Sequence, residues 1–254
     1  MKTSGIAAQL YTLRDFLKTP ADIATTMQRV KAIGYDAVQL SGLGPIEPQA
    51  LATILREEGL TAAATHVSFA RLCNDLPALI DEHLLWGCRN VAIGAMPDEY
   101  RNAAGYVRFA KEATEIGRKL ADAGLTFSYH NHSFEFEKFD GKTGMELLYN
   151  NADPEFLLAE IDTYWVQHGG GDPAAWIEKL SGRMVIVHLK DLGIVDNTQV
   201  MAEIGVGNMN WARILPACRA AGVTWYAVEQ DVCQRDPFES LTISLANLHA
   251  MDWA

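Results

Sequence analysis

Short apolar segments rich in β-branched and aromatic residues recur at 6–13, 35–42, 60–69, 90–96, 125–136, 156–166, 184–192 and 224–231, with apolar residues at helical spacing between them. The pattern predicts eight strands alternating with helices. Strand starts lie 25 to 40 residues apart, room for one crossover helix each, and such alternation implies a parallel sheet. Gly34, Gly59, Gly87, Gly124, Gly182 and Gly222 each stand just before a predicted strand, where a left-handed residue ends a helix. Thr19-Pro20, Asp172-Pro173 and Asp236-Pro237 pair a capping residue with a proline at the first helical position.

Eight such units in 254 residues fit an α/β fold, a single (β/α)8 TIM barrel spanning 1–254 as one domain. A doubly wound open sheet would carry a glycine-rich phosphate loop after an early strand. The first strand instead runs into YTLRDFLKTP, and GVGNMNW near 205 follows a loop.

A hydrophobic fraction of 49% allows a full core, and the net charge of −11 argues against a nucleic-acid or acidic-membrane partner. Cys73, Cys88, Cys218 and Cys233 form no CxxC pair and read as free thiols in a reducing compartment. The N-terminus lacks the basic-then-apolar pattern of a signal peptide, so the expectation is a soluble cytoplasmic protein.

In a barrel of this kind, chemistry collects at the C-terminal strand ends. His66 ends the third segment, His130, Asn131, His132 and Glu135 the fifth, Glu160 and Asp162 the sixth, His188 and Lys190 the seventh, and Glu229 the eighth. Ser128, His130 and His132 share a strand face, as do Glu160 with Asp162 and His188 with Lys190, so all these phases point inward together. A lone histidine at a strand end is commonly a hydrogen-bonded structural residue. Several at one rim beside carboxylates suit one divalent metal ion, with zinc, manganese, cobalt or iron ahead of magnesium. Lys190 is placed to neutralise an oxyanion or bind a substrate oxygen, and Trp165 to wall a sugar pocket by stacking. EFEKFD, which contains Glu135, reads equally as a solvated charged loop. Trp86, Trp176 and Trp211 sit in helical patterns and are expected in the core.

QLYTLRD at 9–15, GYDAVQLSG at 34–42, THVSF at 65–69, YHNHSFEF at 129–136, EIDTYWV at 160–166, HLKD at 188–191 and VEQD at 228–231 together resemble the xylose isomerase-like TIM barrel superfamily. Within it the likeness is to the sugar phosphate isomerase/epimerase branch, related to AP endonuclease family 2. The resemblance implies one divalent metal held by Glu, Asp, His and Glu at the ends of strands five to eight. Asp162, His188 and Glu229 match the last three positions. His130 stands where the first glutamate would be, with Glu135 as the alternative strand-five ligand.

The resemblance further implies acid/base roles for Glu229 and a strand-five group, His132 or Glu135, with Lys190 and His66 orienting substrate oxygens. The expected activity is isomerisation or epimerisation of a keto or aldo sugar through a metal-stabilised enediolate. With His130 in place of a ligating glutamate, a lyase or dehydratase acting on a keto-sugar, keto-glycoside or cyclitol is the alternative. A non-catalytic sugar-binding barrel is the third. The expected partner is a small-molecule sugar, with no nucleic acid and no membrane, and a homodimer is an expectation from the family alone.

Overall fold

The computed structural model describes residues 5–251; the first four residues of the segment read for a leader, and residues 252–254, lie outside the described residues. The eight strands are β1 (Ile6–Gln9), β2 (Ala37–Leu40), β3 (Thr61–Val67), β4 (Asn90–Ile93), β5 (Thr126–His130), β6 (Leu158–Glu160), β7 (Ile186–Leu189) and β8 (Trp225–Val228). They form one parallel sheet in the order β6-β5-β4-β3-β2-β1-β8-β7. Between β6 and β7 the sheet is joined by an isolated parallel bridge from Asp162 to His188, where the His188 N–H donates to the Ile161 carbonyl at 2.8 Å. Helices flank the sheet, and the architecture is a (β/α)8 barrel.

The helix signals act as their chemistry demands. Thr19 Oγ1 accepts from the Asp22 N–H and Asp22 returns a bond to the Thr19 N–H, a reciprocal cap whose loss costs about 1 kcal/mol. Asp172 and Asp236 cap their helices from one side, accepting the N–H groups of Ala175 and of Phe238 and Glu239. The six turn glycines all have positive φ, from 62° at Gly59 to 119° at Gly34, a region that side chains with a Cβ disfavour.

Burial is layered. The main core lies between sheet and helices, and small clusters of Ala7, Ala37 and Ala63, and of Ala64, Ile186 and Ala227, pack with Trp225. By strand alternation Ala7 shares a face with Gln9, Ala37 with Gln39 and Ile186 with His188, and Gln9, Gln39, His130, Glu160 and His188 are all buried. Small residues at one end and polar ones at the other thus fill the barrel.

The strands are shorter than the apolar segments. Residues 10–16 form a 3-10 helix, and the segment read as strand at 156–166 turns at Asp162 into the helix Thr163–His168. Asp162 Oδ1 accepts from the Trp165 N–H at 2.9 Å, so the residue that ends the strand also caps the helix. An antiparallel hairpin, Asp191–Val195 with Thr198–Ala202, follows β7. Its two-residue turn, Asp196-Asn197, has both φ angles positive, as a tight hairpin of this type requires. No described helix is long and apolar enough to cross a membrane.

Candidate metal centre

The rim brings His130, Asp162, His188 and Glu229 into one buried group whose ligand-type atoms lie within 4.8 Å of one another. His130 Nε2 faces Asp162 Oδ2 at 3.1 Å, and His188 Nδ1 faces Glu229 Oε2 at 2.7 Å. The opposite ring nitrogens decide what these contacts mean. His130 Nδ1 donates to the Gly94 carbonyl at 2.9 Å, and His188 Nε2 lies 2.6 Å from Glu160 Oε1 and 2.7 Å from Gln39 Oε1. Carbonyl and carboxylate oxygens only accept, so these rear nitrogens carry the ring protons. The front nitrogens of neutral rings would then meet carboxylate oxygens as lone pair against lone pair. A cation between them, proton or metal, removes the conflict, and a nitrogen-oxygen donor set of this kind fits a divalent transition metal.

Electrostatics follow from the same contacts. Burial works against the charged form of His188, but the charges of Glu160 and Glu229, and its hydrogen bonds to them, prevail and push it up to about 10. Burial likewise opposes ionisation of Asp162 and Glu229, yet Lys190 and the histidines hold both below the usual carboxylate range. Lys190, 1% exposed, places its Nζ 2.8 Å from Glu229, 3.1 Å from Asp162 and 3.0 Å from Asp231. Burial alone would lower it, and these three carboxylates raise it instead.

Local structure aims these side chains. The Asn131 side chain accepts from the Asp162 N–H at 3.0 Å, and Thr163 Oγ1 bonds to the backbone of His188 and Lys190, tying strands five, six and seven together. Gly94 gives His66 close approach, since a Cβ there would lie 3.0 Å from His66 Nδ1 and the ring would have to give way.

A cavity of about 540 Å³ opens over the group, its lining including His66, His132, Trp165, Lys190 and Glu229 together with Tyr11, Arg14 and Asp231. His132 packs edge-on to His130 and stacks on Phe134. Burial, then the neighbouring His130 and Lys190, lower it to about 3, so its ring is neutral.

Glu135, the alternative strand-five ligand, is not in the group. It is fully buried, one carboxylate oxygen takes the Tyr129 hydroxyl at 2.6 Å, and the other takes the His132 N–H at 2.9 Å. Glu135 is therefore no solvated loop charge, whereas Glu137, Lys138 and Asp140 of the same segment are exposed. Burial pushes this carboxyl up to about 7 despite those hydrogen bonds. Trp86, Trp165 and Trp176 pack against the main core and Trp211 lies within it, and Trp165 also lines the cavity.

Asp231, Arg14, Tyr11 and Gln39 received no site role from the sequence. The Asp of VEQD was the one available signal for the first. Gln39 gave none, because its partners Glu160 and His188 lie more than a hundred residues away.

No protein-family model matches the chain, and no curated protein matches it. Solved structures do. The chain is similar to a sugar phosphate isomerase/epimerase from Parabacteroides distasonis, with a TM-score of 0.84 and 22% identity over 100% of this chain and 96% of that one. An L-ribulose 3-epimerase matches with a TM-score of 0.72 and 16% identity over 97% and 94%. A probable 3-DHS dehydratase from Bacillus anthracis matches with a TM-score of 0.72 and 13% identity over 98% and 100%. A likeness at these identities shows the fold, which is the barrel anticipated from the strand-end motifs.

Proposed function

We propose that the protein is a divalent-metal-dependent isomerase or epimerase of a keto or aldo sugar, acting through an enediolate. The observation that carries this reading is the pair of imidazoles, each backed by an acceptor, whose remaining nitrogens face Asp162 and Glu229 beneath the cavity. His130, Asp162, His188 and Glu229 would hold the ion, with zinc, manganese, cobalt or iron favoured by the mixed donor set. The ion supplies Lewis-acid stabilisation of negative charge on the oxygens of a hydroxy-carbonyl unit.

The chain's own residues supply the rest. The Lys190 ammonium, paired with three carboxylates, offers its positive charge to a substrate oxygen on which charge develops, in a site where its burial makes such an interaction strong. Glu229 and His132 line the cavity and handle protons, the first at a carboxylate oxygen and the second at a ring nitrogen; His132 Nδ1 has no protein partner. Trp165 offers an apolar wall to the face of a sugar ring, and His66 contacts a substrate oxygen. Glu135 fixes the backbone of His132 and so acts on the site through that residue.

A metal-dependent lyase or dehydratase is the second reading, because strand five presents imidazoles where a second carboxylate base would otherwise stand. Incubating the metal-loaded protein with keto and aldo sugars in deuterated water separates the two. Isomerisation or epimerisation places deuterium on carbon in a product of unchanged composition, whereas elimination yields an unsaturated carbonyl. Absence of both across the sugars would defeat the proposal.

A further inference from the structure

We infer that Glu160 is a positioning residue for the metal centre: it holds the proton of His188 Nε2 so that Nδ1 is the nitrogen presented to the ion, with Gln39 and His66 as its supports. The inference rests on the metal reading above and extends it to three residues outside the ligand set.

Glu160 is fully buried, and its Oε1 is the meeting point of three nitrogens: His188 Nε2 at 2.6 Å, His66 Nε2 at 2.7 Å and Gln39 Nε2 at 2.8 Å. Gln39 reaches back through its own oxygen to His188 Nε2 at 2.7 Å. The His66 and His188 rings stack with centroids 5.2 Å apart and 13° between planes, which restrains the rotation of His188 from its face as well as its edge. An imidazole so held has one orientation, with Nε2 kept as the protonated nitrogen when Nδ1 gives up its proton. The acceptor behind His130 is a neutral carbonyl, whereas the one behind His188 is a carboxylate, and a charged acceptor makes the opposite nitrogen the stronger electron donor.

His66, Glu160 and His188 also have metal-like spacing among themselves. Their geometry nevertheless favours the positioning role, because the carboxylate oxygen they share, Oε1, already takes three donors. Sequence alternation explains the economy: in Glu160-Ile161-Asp162, two residues of one face supply a ligand and the group behind a second ligand.

The test is competition of Zn²⁺ between a chromophoric chelator and the wild type or Glu160→Gln. The inference expects one equivalent in each, with roughly 10–100-fold weaker binding in the variant. Equal affinities would overturn it, as would two equivalents in the wild type with one lost in the variant, which would make Glu160 a ligand of a second ion. A wild type that binds none defeats the metal reading itself, and is told apart because the failure precedes any substitution. Histidine ¹⁵N spectra of the zinc-loaded wild type need no variant to fold. They should show His188 protonated at Nε2 and metal-bound at Nδ1; the reverse assignment would refute the inference.

Discussion

Asp162 and His188 form the bridge that joins strands six and seven, and their side chains enter the same candidate ligand group. Asp162 divides its carboxylate between two tasks, since Oδ1 caps the helix beginning at Thr163 while Oδ2 faces His130 and Lys190. An Asp162→Asn variant keeps an oxygen for the cap and the backbone bridge. It is expected to fold with a thermal midpoint near that of wild type and to lose metal affinity by more than the roughly 10–100-fold that removal of an outer partner costs. Calorimetric metal titration beside a melting curve measures both.

Lys190 touches three carboxylates from inside the rim. Replacing it by Met leaves buried like charges unpaired, which should destabilise the metal-free protein by about 3 kcal/mol. A divalent ion entering among the same oxygens offsets that repulsion. The rise in melting temperature on adding metal should therefore be larger in Lys190→Met than in wild type, and an equal rise would contradict the placement of the ion beside Lys190.

Glu135 provides a pH test away from the ligand group. Its carboxyl is raised from 4.5 to about 7 by burial, so between those values the folded state binds the proton and the unfolded state has released it. The stability it confers is present below pH 4.5 and is lost as pH rises through 7. Glu135→Gln carries no such charge, so its stability relative to wild type should grow across that window by up to about 3 kcal/mol. Denaturant unfolding at pH 4.5 and 7.5 checks this, and a constant difference would refute it.

Gly94 allows His66 to approach within ordinary contact, and a Cβ would also fall 3.3 Å from its Cγ. Gly94→Ala should displace the ring from Glu160, cost about 1–2 kcal/mol of stability and weaken metal binding. Unchanged zinc affinity would show that His66 is dispensable to the support of Glu160.

Much of the fold was legible because its signals are local. Gly59 before strand three and Thr19-Pro20 before the first long helix act within a few residues, through φ and through a side-chain cap. Strand lengths were overread because apolar character continues past the last paired residue: Tyr164 and Val166 are buried on a helix, not on a strand. Of the ligand group, all four members stood out as strand-end His, Asp or Glu residues. The surroundings did not. Glu135 looked like loop charge because the Tyr129 hydroxyl that accompanies its burial is visible only in three dimensions. Asp191 collects the N–H groups of Gly205, Gly207 and Met209 and the Trp211 indole, which orders the loop written as GVGNMNW. Contacts at such separations leave no periodic trace in a single chain.

The central claim is that one divalent ion sits among His130, Asp162, His188 and Glu229. Elemental mass spectrometry of the purified protein, beside Asp162→Ala and His188→Ala, tests it most directly. The account predicts close to one equivalent of a transition metal in the wild type and loss of it in both variants. A wild type that holds no metal after reconstitution, or variants that keep it, would contradict the account.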